Sequence, residues 1–200
     1  MNIDQGAQLR EIYGEPKERT ILKELSALEQ HSKRFLALCP FVVISTDGGD
    51  HLDASPRGGA PGFIKVLNDN ELIIPDSKGN NRVDSLSNIV ETGKFAMLGM
   101  IPGVDETLRI RGKAIVSNDP ELLAQLDEEQ NPPKTCIHVQ VETVFLHCAK
   151  AFMRSKLWKE EAKIERTELP TMGQMIKDQI GHNDPVETQE QMEKRYQGDI

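Results

Sequence analysis

The run ETLRIRGKAIVS, Glu106 to Ser117, constrains the fold more than any other stretch. Polar and apolar residues alternate through it, which is the period of a strand with one buried face. A long alternating strand belongs in an antiparallel sheet with one solvated side. The neighbouring segments agree. FVVIST (Phe41–Thr46), ELII before Pro75, and KFAMLGMI before a Pro102-Gly103 turn are all strand-like. LDASPRGGAPGFIKVL reads as a strand interrupted by glycine and proline, and TCIHVQVETVFLHCAKAF as a long strand running into a helix.

Helical periodicity lies between and around these runs. Thr20 to Leu38 predicts one helix, with Ile21, Leu25, Leu28, Phe35 and Leu36 on its apolar face, Thr20 as cap and Pro40 as stop. Asn81 to Val90 predicts a short helix with Val83, Leu86 and Val90 on one face. NDPELLAQL predicts another, with Pro120 near its first position. Beyond Glu160 the chain turns polar; QMIKDQI is expected as a docked helix and ETQEQMEKRYQGDI as a solvated, frayed tail. About six strands in direct succession, flanked by helices, predict a mainly β fold, an antiparallel barrel rather than βαβ winding. The expected organisation is a helical segment over 1–39, a barrel over 40–160, and a C-terminal helix with polar tail over 161–200.

Charge narrows the function. The chain has 24 basic and 32 acidic residues, a net charge of −8, which opposes general nucleic-acid binding. Its three cysteines, Cys39, Cys136 and Cys148, form no CxxC pair, and the odd count suits free thiols in the cytoplasm. The N-terminal residues carry no signal-peptide core and no run reaches membrane-spanning length, so a soluble cytoplasmic protein is expected.

Four cationic stretches stand out against this acidic background. In IPDSKGNNRVDSLSNI, Ile74 to Ile89, a strand ending at Pro75 meets a turn holding Lys78, Asn80, Asn81 and Arg82 at the expected start of a helix. A helix start offers unpaired N–H groups, and arginine grips phosphate with two bonds. Local sequence alone favours a plain capping turn with two solvated cations. In DASPRGG, Ser55, Pro56 and Arg57 occupy a strand, with Ser55 and Arg57 on one side. In TLRIRG, Thr107, Arg109 and Arg111 share a face opposite Leu108 and Ile110. In HCAKAFMRSKLW, Lys150, Arg154 and Trp158 are four apart and stack if the helix is continuous. Trp158 there suits either a cover for a planar ring or a packing anchor. Cys136, His138 and Cys148 lack zinc-ligand spacing, so no metal site is expected, and no G-x-S-x-G elbow supports a hydrolase.

In this order, FLALCPFVVISTDGGDHLDASPRGGAPGFIKVL, LIIPDSKGNNRVDSLSNI, PGVDETLRIRGKA and HCAKAFMRSKLW resemble the pyridoxamine 5′-phosphate oxidase-like superfamily, the FMN-binding split barrels. The likeness runs from about Phe35 to Trp158 and is strongest to a bacterial subgroup named only for FMN dependence. It implies a six-stranded antiparallel split β-barrel working as a homodimer, with FMN at the subunit interface and oxidoreductase activity on an unidentified small molecule. A non-catalytic flavin, haem or deazaflavin F420 binder on the same barrel is the alternative. By position, Ser55, Pro56 and Arg57 would line the ribityl and ring side. Asn81 and Arg82 would hold the phosphate, with Arg82 as its main cation, assisted by Pro75, Lys78 and Asn80. Thr107 and Arg109 would face the pyrimidine edge, and Lys150, Arg154 and Trp158 would reach the partner's flavin. The Trp- and Arg-containing motif that grips pyridoxal phosphate in the oxidase has no counterpart after Trp158.

Overall fold

The computed structural model describes residues 2–126, 131–181 and 185–198. Two short helices, α1 (Gly6–Tyr13) and α2 (Glu18–Leu22), precede α3 (Gln30–Leu38). The predicted single helix from Thr20 is therefore two. Its middle is extended, because Leu25 exchanges backbone hydrogen bonds with Val144 at 2.9 and 2.8 Å. Glu29 then starts α3 afresh, its carboxylate accepting from the N–H groups of His31 and Ser32.

The strands follow as read. They are β1 (Phe41–Asp47), β2 (Leu52–Gly58), the two-residue β3 (Lys65–Val66) and β4 (Glu71–Pro75). After α4 (Asp84–Thr92) come β5 (Lys94–Ile101), β6 (Val104–Ser117), the short helix α5 (Pro120–Leu123), then β7 (Cys136–His147) and α6 (Lys150–Ser155). All pair antiparallel in one sheet of order β2-β1-β5-β6-β7-β4-β3. Six strands carry the split-barrel pattern; the seventh is the stub β3, left where the glycine and proline excursion ends.

Alternation along β6 does what the sequence asked of it. Leu108 and Ile110 are fully buried while Arg109, Arg111 and Lys113 face solvent. Val42 and Ile44 of β1, Leu72 and Ile74 of β4, Met97 of β5, and Val139 and Val144 of β7 fill the same core. Phe35 and Leu36 of α3 pack on it, as do Leu86 and Ile89 of α4. Each such aliphatic contributes roughly 1.5–3 kcal/mol by leaving water.

Two helical readings need correction. α4 begins at Asp84, not Asn81, because Asn81 and Val83 hold left-handed backbone angles, φ +60° and +53°. This rotates its buried face to Ser85, Leu86, Asn88 and Ile89, and Val90 is 71 % exposed. The chain after Gln189 is ordered as helix α8 (Gln189–Tyr196), where Thr188 and Gln191 form a reciprocal cap. Residues 199–200 of the predicted tail lie outside the described residues. QMIKDQI lies in a helix, α7 (Met172–Ile180), as expected, but none of its residues is buried, and Ile180 is well exposed. Among the described residues no helix is long and apolar enough to cross a membrane.

Candidate functional site

The sheet's two ends approach one another. β2 is one edge strand and β4 lies next to the other. Yet residues of β2 and of the chain leaving β4 line one cavity of about 740 Å³, a volume suited to a small ligand or cofactor. Strand parity turns Asp53, Ser55 and Arg57 half inward, while Leu52, Ala54 and Pro56 stay exposed. Pro75 ends β4 opposite Cys136, and the Asp76 N–H donates to Thr135 at 3.1 Å. That pairing brings Pro132, Pro133 and Lys134 to the rim.

Eight of the predicted residues meet here: Ser55, Pro56, Arg57, Pro75, Lys78, Asn80, Asn81 and Arg82. The two arginines differ. Arg57 is largely buried and donates to Ser55 Oγ at 2.6 Å and to the Pro56 carbonyl at 2.8 Å. Its Nε is buried with no partner among the described residues, and a buried donor without an acceptor is costly. Arg82 is 74 % exposed and already holds Asp84 through Nε at 2.9 Å and a terminal nitrogen at 2.8 Å. Asn80 accepts from the Arg82 N–H at 3.0 Å, which shapes the turn. The N-cap residue of α4, Val83, makes no side-chain cap bond.

Among the described residues, Arg57, Lys78, Arg82 and Lys134 line the cavity together with Asp53, Asp76 and Asp84. Asp53 accepts from Ser85 Oγ at 2.8 Å. Asp76 lies 3.8 Å from Arg57, and burial pushes its carboxyl above the ordinary value against the pull of that arginine. A buried arginine Nε without a partner among the described residues, and a helix start whose N-cap Val83 offers no side-chain bond, fit an anionic phosphate group. The sequence reading missed Asp53, Asp76, Ser85 and Lys134. Asp76 stands in the turn after β4, beside Pro75; Lys134 carries no local signal, since only β4–β7 pairing brings it here.

The other predicted residues do not line this cavity. Thr107 is buried and pairs with His147 across β6 and β7. Arg109 lies over the Phe145 ring at 5.2 Å, and Lys23 approaches the same ring at 5.3 Å. Burial, with Arg109 and Lys23 nearby, pushes His147 below its usual range. Lys150 and Arg154 are exposed on α6. That helix ends at Ser155, where Lys156 turns left-handed, so Trp158 does not continue the predicted stack. Trp158 instead stacks on Phe152 at 5.3 Å and donates to the Val104 carbonyl at 2.9 Å. Among the described residues no group of three or more His, Cys, Asp or Glu is placed to hold a metal.

Comparison with solved structures finds distant resemblances. HupZ of Group A Streptococcus is 16 % identical, covering 60 % of this chain and 93 % of its own, with a TM-score of 0.48. A Lactobacillus delbrueckii protein provisionally named a pyridoxamine 5′-phosphate oxidase is 18 % identical, covering 62 % of this chain and 98 % of its own, at 0.47. The FAD binding protein of Mycobacterium smegmatis is 15 % identical, covering 62 % and 97 %, at 0.44. Comparison with curated proteins gives no match. The family model for pyridoxamine 5′-phosphate oxidase matches residues 28–148, from the segment before α3 to the end of β7. The match takes in β2, the phosphate-suited turn and the paired strands β6 and β7, and on that evidence the chain belongs to the pyridoxamine 5′-phosphate oxidase family.

Proposed function

We propose that this protein is an FMN-dependent oxidoreductase acting on a small molecule, cytoplasmic and working as a homodimer. One observation carries the reading: Ser55, Pro56 and Arg57 share a cavity with Pro75, Lys78, Asn80, Asn81 and Arg82, and Arg57 keeps a buried Nε without a partner there. FMN, when bound, supplies hydride-transfer redox chemistry. The chain's own part is to bind and orient. Arg57 is the principal phosphate donor, held in its rotamer by Ser55 and the Pro56 carbonyl. Lys78, Arg82 and Lys134 add positive field from the rim.

Arg109, with Lys150, Arg154 and Trp158, takes the flavin's ring from the second subunit in this reading, whereas Thr107 is buried within its own chain. That assignment accounts for their lying outside the cavity of a single chain. Arg109 is the cation suited to an anionic reduced ring edge, steadied in place by Phe145. Purified protein titrated with FMN, followed by its visible spectrum, tests the reading. Binding tighter than about 100 µM, a free energy beyond about −5.5 kcal/mol, is expected; weaker binding overturns it. Anaerobic addition of NADH or NADPH then separates enzyme from carrier, since rapid bleaching and aerobic recovery are expected of the enzyme.

A further inference from the structure

We infer that Asp76 is a proton-linked positioning residue: it steadies Arg57 while the cavity holds no anion, and takes up one proton from solvent when a phosphate group replaces it on that arginine. The inference rests on the reading that the cavity takes the phosphate of FMN. Its ground is the arrangement of the three carboxylates. Asp53 is occupied by the Ser85 hydroxyl, and Asp84 by Arg82. Asp76 stands 3.8 Å from the Arg57 guanidinium, beyond hydrogen-bond length, with both side chains mostly sheltered. The charged groups facing it are Arg57 and Asp53 from β2, Lys78 and Arg82 from the turn, Asp84 from α4, and Lys134 from the chain before β7.

A phosphate that reaches Arg57 meets Asp76 at short range. The two negative charges repel in a partly desolvated space, where effective dielectric is low. Asp76 also loses the share of Arg57 that favoured its charge. Both changes act in one direction, toward the protonated carboxyl, and burial already leans that way in the free protein. Linkage fixes the sign: a group that gains a proton on binding makes the affinity rise as pH falls. Arg57 is then free to satisfy its orphaned Nε with a phosphate oxygen, while neutral Asp76 no longer competes for it.

The test compares FMN dissociation constants of wild type and Asp76→Asn between pH 5.5 and 8.5, by quenching of flavin fluorescence. The phosphate of FMN itself titrates near pH 6; its titration in free FMN is common to both proteins and cancels in their ratio. The ratio is expected to approach one as the pH falls and to widen as it rises, with the variant about tenfold tighter at pH 8.5, as removal of one repulsion of about 1.4 kcal/mol predicts. Asp76→Ser, which keeps a short polar side chain, must show the same trend if Asp76→Asn folds poorly. A ratio that stays constant with pH, or weaker binding by both variants throughout, overturns the inference. Failure of the underlying reading looks different: wild type then binds no FMN, or Arg57→Ala binds it as well as wild type.

Discussion

Arg57 and Arg82 bring the same charge to one cavity in different states, and the difference decides their worth. Arg82 is exposed and already paired with Asp84, so part of its field is spent before any ligand arrives. Surface pairs of this kind contribute about 0–1 kcal/mol. Arg57 is sheltered, braced by Ser55 and short of one acceptor. A charge-assisted bond there is worth about 1.5–3 kcal/mol. Arg57→Ala is therefore expected to weaken FMN binding by about 1.5–3 kcal/mol and Arg82→Ala by less than about 1 kcal/mol. Fluorescence titration of the two variants checks the order, and a reversed order returns the main role to Arg82. His147 makes a second prediction. Burial first, then Arg109 and Lys23, hold its folded pKa below the unfolded value of about 6.5. The folded protein thus takes up this proton less readily than the unfolded chain. Its contribution to stability is full above pH 6.5 and is lost as the pH falls below that value. His147→Gln should show a smaller drop in melting temperature between pH 7.5 and 5.5 than wild type, measured by circular dichroism.

Elements decide how these residues meet. β6 and β7 shift register between Arg111 and Gly112: Arg111 pairs with Thr143, Gly112 with Val141. The extra residue makes a bulge, which bends and twists the pair. Gly112 permits it, since a Cβ there would lie 2.0 Å from the Gln140 carbonyl oxygen. The obstacle is backbone, which cannot swing aside as a side chain can. Gly112→Ala should cost about 2–3 kcal/mol, read as a lower urea midpoint with unchanged slope; a loss below about 0.5 kcal/mol, the scale of a neutral surface change, contradicts the role given to the bulge. Alternation in β6, the Pro75 stop and the Pro102-Gly103 turn were all legible in the sequence, because each depends on local period or local backbone restriction. The bulge was not, since it arises from a contact between strands. Nor was the break in the first predicted helix, where Leu25 gives up helical bonds to pair with Val144, more than a hundred residues away. Arg57 and Arg82 were each legible as cations, while their different pairing depends on Ser55, Asp76 and Asp84 as neighbours in space.

At the scale of the molecule, the predicted site divides in two. Curling of the sheet brings β2 to the chain after β4 and builds the cavity around Arg57. Arg109 sits elsewhere, over Phe145 on the outward side of β6. In the proposed two-fold dimer, the cavity of each subunit would be completed by Arg109 of the other. This arrangement makes a prediction that a site within one subunit does not share. Arg57→Ala and Arg109→Ala should each weaken FMN binding when pure. Mixed by unfolding and refolding together in equal amounts, half of the dimers contain one chain of each kind. In such a dimer one site carries both substitutions and the other carries neither. About one quarter of all sites should then regain wild-type affinity, by the statistics of random two-fold pairing. A biphasic FMN titration with a tight phase of that size is the expected result. If Arg57 and Arg109 served the same flavin from a single chain, every site in the mixture would keep one substitution and the tight phase would be missing.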